Sequence, residues 1–224
     1  MPFMNNPFID FPITWDLELD FSSTTGWTKT GTYMNIAGGV MDWKASNTST
    51  QHSEVYDLLG STLSNTAWLI QFKITCNAKT GGATNAWVFW ALTSIGTGLN
   101  TSTQDALAFG IKFAAVTISQ FKLEEADAAG IDSLSEEGSS ETLDNGETFY
   151  LRFMRMTSTT YKLEIYSDAT YTTLLETVSG TTASTVQSLR YISVMTYTIA
   201  QAETSTLAGT IDDLKFIDGT STPP

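Results

Sequence analysis

The chain has 224 residues, enough to bury a sizeable core, and β-sandwiches of this length are commonly one domain. Its 24 Asp and Glu against 11 Lys and Arg give a formal net charge of −13, a field that repels phosphate backbones and anionic lipid surfaces and so disfavours nucleic acid and membrane partners. One cysteine, Cys76, rules out an intrachain disulfide and a thiolate cage, and one histidine, His52, leaves little for zinc or a catalytic triad.

Period-two alternation runs through the chain and predicts strands. The first is Thr14–Ser22, "TWDLELDFS", with Trp15, Leu17, Leu19 and Phe21 on one face and Asp16, Glu18 and Asp20 on the other. Gly31–Ala45 follows with a turn at Gly38-Gly39, then Glu54–Leu59. In Thr66–Cys76 the positions Trp68, Ile70, Phe72 and Ile74 alternate with Gln71, Lys73 and Thr75. Cys76 continues that row as a small buried hydrophobe. Asn85–Ser94, "NAWVFWALTS", is apolar on both faces, as suits a central strand.

Ala106–Phe113 and Val116–Glu125 come next, with room for one helical turn in Glu124–Ser133. Asn145-Gly146 predicts a type I′ hairpin. After it come Thr148–Met156, Tyr161–Asp168, Thr173–Ser179, Ser188–Tyr197 and Gly209–Asp218. Short strands between Gly, Ser, Asn and Asp turns predict an all-β, two-sheet antiparallel sandwich. Residues 1–217 form one domain in this reading, and 218–224, "DGTSTPP", a C-terminal tail.

The acidic row at Asp16, Glu18 and Asp20 has a spacing, ~6.6–7 Å between alternate residues, that falls near the carboxylate separation of inverting glycosidases. It resembles the E-x-D-x-E strand of laminarinase-like glycoside hydrolases. That resemblance sets Asp16 and Asp20, each a methylene shorter, at the outer glutamate positions. A solvated strand face or a metal site are the other readings, and no catalytic residue is assigned. His52 lies in the polar stretch "TSTQHSE" and no nucleophile elbow accompanies it.

The last strand, "GTIDDLKFIDG", places Asp212 and Asp213 within an apolar run, where a buried carboxylate needs a partner. With "LDFSSTTGWT" near the start and "YKLEIYSDATYTTLLE" at 161–176, it resembles the concanavalin A-like and laminin-G-like jelly rolls and calcium-containing carbohydrate-binding modules. The resemblance implies a structural Ca2+ shared by Asp20 and one of the closing pair, Asp212 or Asp213, with Asp16 and Glu18 as further candidates, and a glycan or polysaccharide as partner. Tyr33, Trp43, Trp87 and Trp90 are candidates for stacking on sugar rings, each with a place in the core as its alternative. Trp87 and Phe89 face one way from their strand and Val88 and Trp90 the other, so one pair belongs to the core.

These readings converge on a non-catalytic glycan-binding or adhesion module. A structural surface protein that self-assembles, as in a virion or cell envelope, is the second expectation, and a polysaccharide-active enzyme the third. An extracellular, virion or cell-surface location fits the first two, although no signal peptide is visible in "MPFMNNPFIDFP". No apolar run approaches the ~20 residues of a membrane helix, so insertion into a membrane is not expected.

Overall fold

The computed structural model describes residues 14–30, 35–46, 52–57, 60–80, 86–96, 103–115, 118–129, 137–198 and 206–222. Two antiparallel sheets face each other, as the alternation predicts. The eight-stranded sheet has the order β13 (Leu174–Thr181), β12 (Thr160–Tyr166), β11 (Thr148–Arg155), β6 (Trp68–Thr80), β15 (Thr206–Asp218), β4 (Val40–Ser46), β3 (Asn35–Ala37), with β1 (Leu17–Leu19) also paired to β15. The seven-stranded sheet has the order β10 (Glu137–Thr142), β9 (Ile118–Ala129), β8 (Gln104–Ala115), β7 (Ala86–Thr93), β14 (Tyr191–Thr198), β5 (His52–Asp57), β2 (Trp27–Thr30).

The core fills the space between the sheets. One row of each long strand points into it: Trp68, Ile70, Phe72, Ile74 and Cys76 from β6, Leu107, Phe109 and Ile111 from β8, Phe149, Leu151 and Phe153 from β11. Aromatic rings bridge the layers. Phe109 stacks on Trp90 at 5.1 Å and on Phe72 at 5.4 Å, and meets Phe153 edge-on at 5.4 Å. Burial also pushes the Cys76 thiol up to about 11, so it packs as an inert hydrophobe.

Several local expectations change. The Gly38-Gly39 turn holds, with both glycines at positive φ (64° and 84°), and closes the β3–β4 hairpin where Ala37 faces Val40. The Asn145-Gly146 turn is different: only Gly146 has positive φ (83°), and the turn carries the chain from β10 in one sheet to β11 in the other rather than closing a hairpin. Of Glu124–Ser133, where the sequence left room for a helical turn, Glu124–Ala129 instead extend β9, and 130–133 lie outside the described residues. An irregular register there accommodates Ala128 at a φ of 48°. His52, expected in a loop, opens β5 opposite Thr196. Edge strands β10 and β13 belong to different sheets and are tied by Glu176, whose carboxylate accepts the Ser140 amide at 3.0 Å and the Glu141 amide at 2.8 Å.

The motif glycine of the last strand has a packing reason. At Gly209 a Cβ would overlap both the Thr75 carbonyl oxygen and the Trp43 indole. Gly209→Val is therefore expected to cost at least about 3 kcal/mol, read as a lower denaturant midpoint at unchanged slope. A variant as stable as the parent would contradict this packing.

Candidate functional site

The acidic positions come first. Asp16, Glu18 and Asp20 are all exposed, and each is engaged in local structure. The Asp16 carboxylate accepts the Asp218 amide at 2.7 Å, and Glu18 pairs with Lys215 at 3.2 Å. Asp20 accepts the Ser22 amide at 2.9 Å, and its hydrogen bonds with Ser22 hold its carboxyl below the usual range. Trp15 does not continue the inward row of Leu17 and Leu19; it packs on Leu69, Met154 and Ile217.

The Asp212-Asp213 step is a bulge. Between Asp212, opposite Lys73, and Lys215, opposite Gln71, β15 carries one residue more than β6. Asp213 takes a φ of 53°, a conformation that Asp tolerates better than a branched residue would. Asp212 accepts the Asp213 amide at 2.8 Å and lies 3.7 Å from the Lys73 ammonium. The pair thus marks where β15 changes neighbours: β4 pairs with it up to Ile211 and β1 from Leu214 onward.

Backbone pairing of Leu19 with Leu214 brings Asp20 alongside this step, as the resemblance to calcium-bearing modules implied. The donors do not fit the ion, however. Calcium needs six to eight oxygens. The Asp20 and Asp212 oxygens are engaged by backbone amides and Lys73, and no three His, Cys, Asp or Glu side chains converge among the described residues. Among the described residues Asp20, Asp212 and Asp213 therefore do not converge as a cage of three side chains. Millimolar calcium after EDTA treatment is expected to leave the unfolding temperature unchanged, and Asp212→Asn to cost no more than about 1 kcal/mol through the loss of a half-exposed ion pair. A calcium-dependent rise of several degrees, lost in that variant, would contradict this assignment.

The aromatic candidates separate just as clearly. Trp43 and Trp90 are 1% and 4% exposed and meet edge-on at 5.7 Å inside the sandwich, so neither offers a face to a sugar. Their expected role as stacking platforms is corrected to core packing. Tyr33 lies outside the described residues. For Trp87 the backbone register is described, opposite Tyr197 and Lys112, and its side chain is not.

The register of the seven-stranded sheet assembles a surface that no single strand reveals. With Trp90, Leu107, Phe109, Phe121, Leu123, Ile192 and Val194 turned to the core, the alternate positions form rows on the opposite face. Ser193, Ala91, Ala108 and Glu124 make one row across β14, β7, β8 and β9, and Tyr191, Thr93, Ala106 and Ala126 the adjacent one. On the other side, Gly110 and Lys122 are followed by Trp87, Lys112 and Gln120. The floor is built from small residues: Ala91, Ala106, Ala108 and Ala126 are at most 3% exposed. Polar groups stand among and around them: Ser193, Thr93, Gln104 and Glu124, all buried, and half-buried Lys112, Gln120 and Lys122. Tyr191 lies against Gly96, where a Cβ would come within 3.0 Å of its ring, and the Arg190 guanidinium sits 5.3 Å from the ring centre.

A second polar cluster covers the outer face of the eight-stranded sheet. Arg152 lies between the rings of Tyr171 (4.5 Å) and Tyr166 (5.1 Å) and donates to Gln71 at 3.2 Å. Tyr166 donates to Glu164 at 2.7 Å, and Lys162 pairs with the same carboxylate at 2.6 Å. Tyr171, at a φ of 55°, reaches from the β12–β13 loop to the Phe72 carbonyl, and burial raises its phenol well above the usual tyrosine range. These groups satisfy one another, and the cluster anchors the loop.

No protein-family model and no curated protein sequence matches the chain. Its three-dimensional structure has many relatives. The legume lectin-like domain from Entamoeba histolytica superposes with a TM-score of 0.62 at 10% identity, over 86% of this chain and 90% of that one. This is the concanavalin A-like jelly-roll fold. The same jelly roll is seen in the exoplasmic/lumenal domain of VIP36 in its Ca2+/Man3GlcNAc-bound form (TM-score 0.56, 10% identity, 92% of this chain and 90% of that). A family 7 alginate lyase, A1-II′, in complex with its product shares it too (TM-score 0.55, 11% identity, 85% of each chain). Lectins, carbohydrate-recognition domains and lyases thus share the jelly roll of this chain.

Proposed function

We propose that this protein is a non-catalytic glycan-binding module whose ligand is a neutral saccharide, seated on the outer face of the seven-stranded sheet. The observation that carries the reading is the composition of that face. Its partly exposed members, Tyr191, Lys112, Gln120 and Lys122, combine an aromatic ring with polar groups, the side-chain types that meet the faces and hydroxyls of sugars, while the alanines beneath them are closed to solvent. Trp87, named from the sequence as a stacking residue, stands in the register of Lys112 and Gln120 at one end. Structural relatives crystallised with sugars lend support of a general kind, since fold alone does not carry function.

Neutral ligands are favoured by charge. A net charge of −13 opposes the approach of uronate or sulfated chains. The acidic row Asp16, Glu18 and Asp20 supplies no acid–base pair, because each member serves a turn or an ion pair of the scaffold. A glycan array carrying neutral and anionic oligosaccharides tests the reading. Saturable binding to neutral glycans is the expected result; binding confined to anionic glycans, or release of reducing sugar from any bound chain, would contradict it.

A further inference from the structure

We infer that the Lys79 and Asp144 side chains condense spontaneously into an isopeptide bond, with Glu147 as the proton carrier of the reaction. The inference is independent of glycan binding and concerns the junction where the chain passes from β10 to β11. There the Lys79 ammonium touches the Asp144 carboxylate. Glu147 stands beside the pair: its carboxylate accepts the Asp144 amide at 2.6 Å, and its own amide donates to the Asp144 carbonyl at 3.0 Å. The charges of Lys79, Asp144 and Glu147 all reach the Cys76 thiol, so an amine and two carboxyl groups share one small site.

This pair differs from the other lysine–carboxylate contacts of the molecule. The side chains of Lys73, Lys162 and Lys215 are 34%, 24% and 32% exposed in their ion pairs, whereas that of Lys79 is 6% exposed. The turn that carries Asp144 is also fixed to the strand that carries Lys79. The Gly146 amide donates to the Cys76 carbonyl at 2.8 Å, and the Cys76 amide to the Glu147 carbonyl at 2.9 Å. Nucleophile and electrophile are thus presented by two hydrogen-bonded backbone segments, which makes their condensation intramolecular and oriented. Burial keeps bulk water from Nζ, and half-exposed Asp144 gives the departing water a way out.

The reaction is a dehydration. Proton transfer within the pair gives a neutral amine and a neutral acid. Nζ of Lys79 then adds to Cγ of Asp144, and the Glu147 carboxylate takes the proton that Nζ sheds. Glu147 returns that proton to a hydroxyl on the tetrahedral carbon, the C–O bond breaks, and water leaves. An Nζ–Cγ amide remains, and no oxidant, cofactor or metal is consumed. The bond joins positions 65 residues apart. Strands β7, β8, β9 and β10 lie within the closed loop, so most of the seven-stranded sheet is fastened covalently at its junction with the other.

Intact-mass spectrometry of the denatured full chain tests the inference. The parent is expected to be one water lighter than its sequence, and proteolysis to release a branched peptide joining Lys79 and Asp144. Lys79→Arg and Asp144→Ala are expected at full sequence mass, with unfolding temperatures lowered by about 10 °C through loss of the cross-link. Glu147→Gln keeps both reacting groups and is expected to slow the condensation at least about a hundredfold, so that the purified chain is mostly unlinked. A parent at full sequence mass would overturn the inference and leave an ion pair at this junction, whether or not the variants fold. Loss of ammonia in place of water would put the bond on Asn145 and overturn the assignment of Asp144. A Glu147→Gln chain that is fully cross-linked on purification would overturn the role of Glu147.

Discussion

Arg155→Ala is expected to lose about 3–5 kcal/mol of stability, because it removes a buried charged donor set and leaves its acceptors stranded. The guanidinium is fully buried at the end of β11. It donates to the carbonyls of Thr157 at 3.1 Å, Val186 at 3.0 Å and Ser158 at 2.6 Å. Two of these carbonyls belong to the β11–β12 turn and the third to the segment before β14, so one side chain fastens two loops. Burial lowers its pKa from the usual arginine range, and the charge of Asp105 only partly opposes this. Arg155→Lys keeps the charge but presents a point donor where a planar fork is needed, and is expected to recover less than half of the loss. Denaturant titration of both variants checks this; a lysine variant as stable as the parent would contradict the role of the fork.

Phe109→Ala is expected to cost a similar about 3–5 kcal/mol, for a different reason. Phe109 is 1% exposed and touches three aromatic rings from two sheets, Trp90, Phe72 and Phe153. Beside these rings an apolar void of ≈ 20 Å³ already exists, lined by Ile70, Trp90, Ile192 and Leu214 among others. Deleting the ring enlarges a gap that the rigid sheets cannot close, so the cavity penalty is near its upper range. Phe109→Leu keeps most of the volume and is expected to cost about 1.5 kcal/mol or less. A midpoint for the alanine variant within 1 °C of the parent would show that the sheets collapse onto the gap.

Much of the fold was legible in the sequence because the core is built from strictly alternating rows. Trp68 to Cys76 on β6 and Leu107 to Ile111 on β8 declare both strand and inward face. Strands β2 and β10 escaped because edge strands need little apolar sequence; "EGSSET" of β10 carries no hydrophobic period at all. On β7 both faces are apolar, so alternation separated Trp87 from Trp90 without saying which faces the core. Asp212 and Asp213 looked like buried carboxylates because a one-residue bulge cannot be seen in a single strand. Arg155 occupies a core-facing position after Phe149, Leu151 and Phe153, and one of its partners, Val186, lies 31 residues away.

The candidate site was legible only in fragments. Ala106, Ala108 and Gly110 already alternate with Leu107, Phe109 and Ile111 in the sequence, which signals a face of small residues. That Ser193 lines up with Ala91 and Ala108 depends on pairing between strands about a hundred residues apart, set by the whole sheet rather than by any local pattern. The stacking role assigned to Trp43 and Trp90 failed for the same reason, since exposure is decided by what packs opposite.

The central claim is that a neutral glycan binds to the outer face of the seven-stranded sheet. Residue-resolved NMR titration with the strongest neutral oligosaccharide from the array tests it most directly. The account predicts saturable shifts concentrated at Lys112, Gln120, Lys122 and Tyr191, with the Tyr150, Arg152 and Tyr171 signals of the opposite sheet unmoved. Shifts confined to that opposite cluster, or no shifts at saturating sugar, would contradict it.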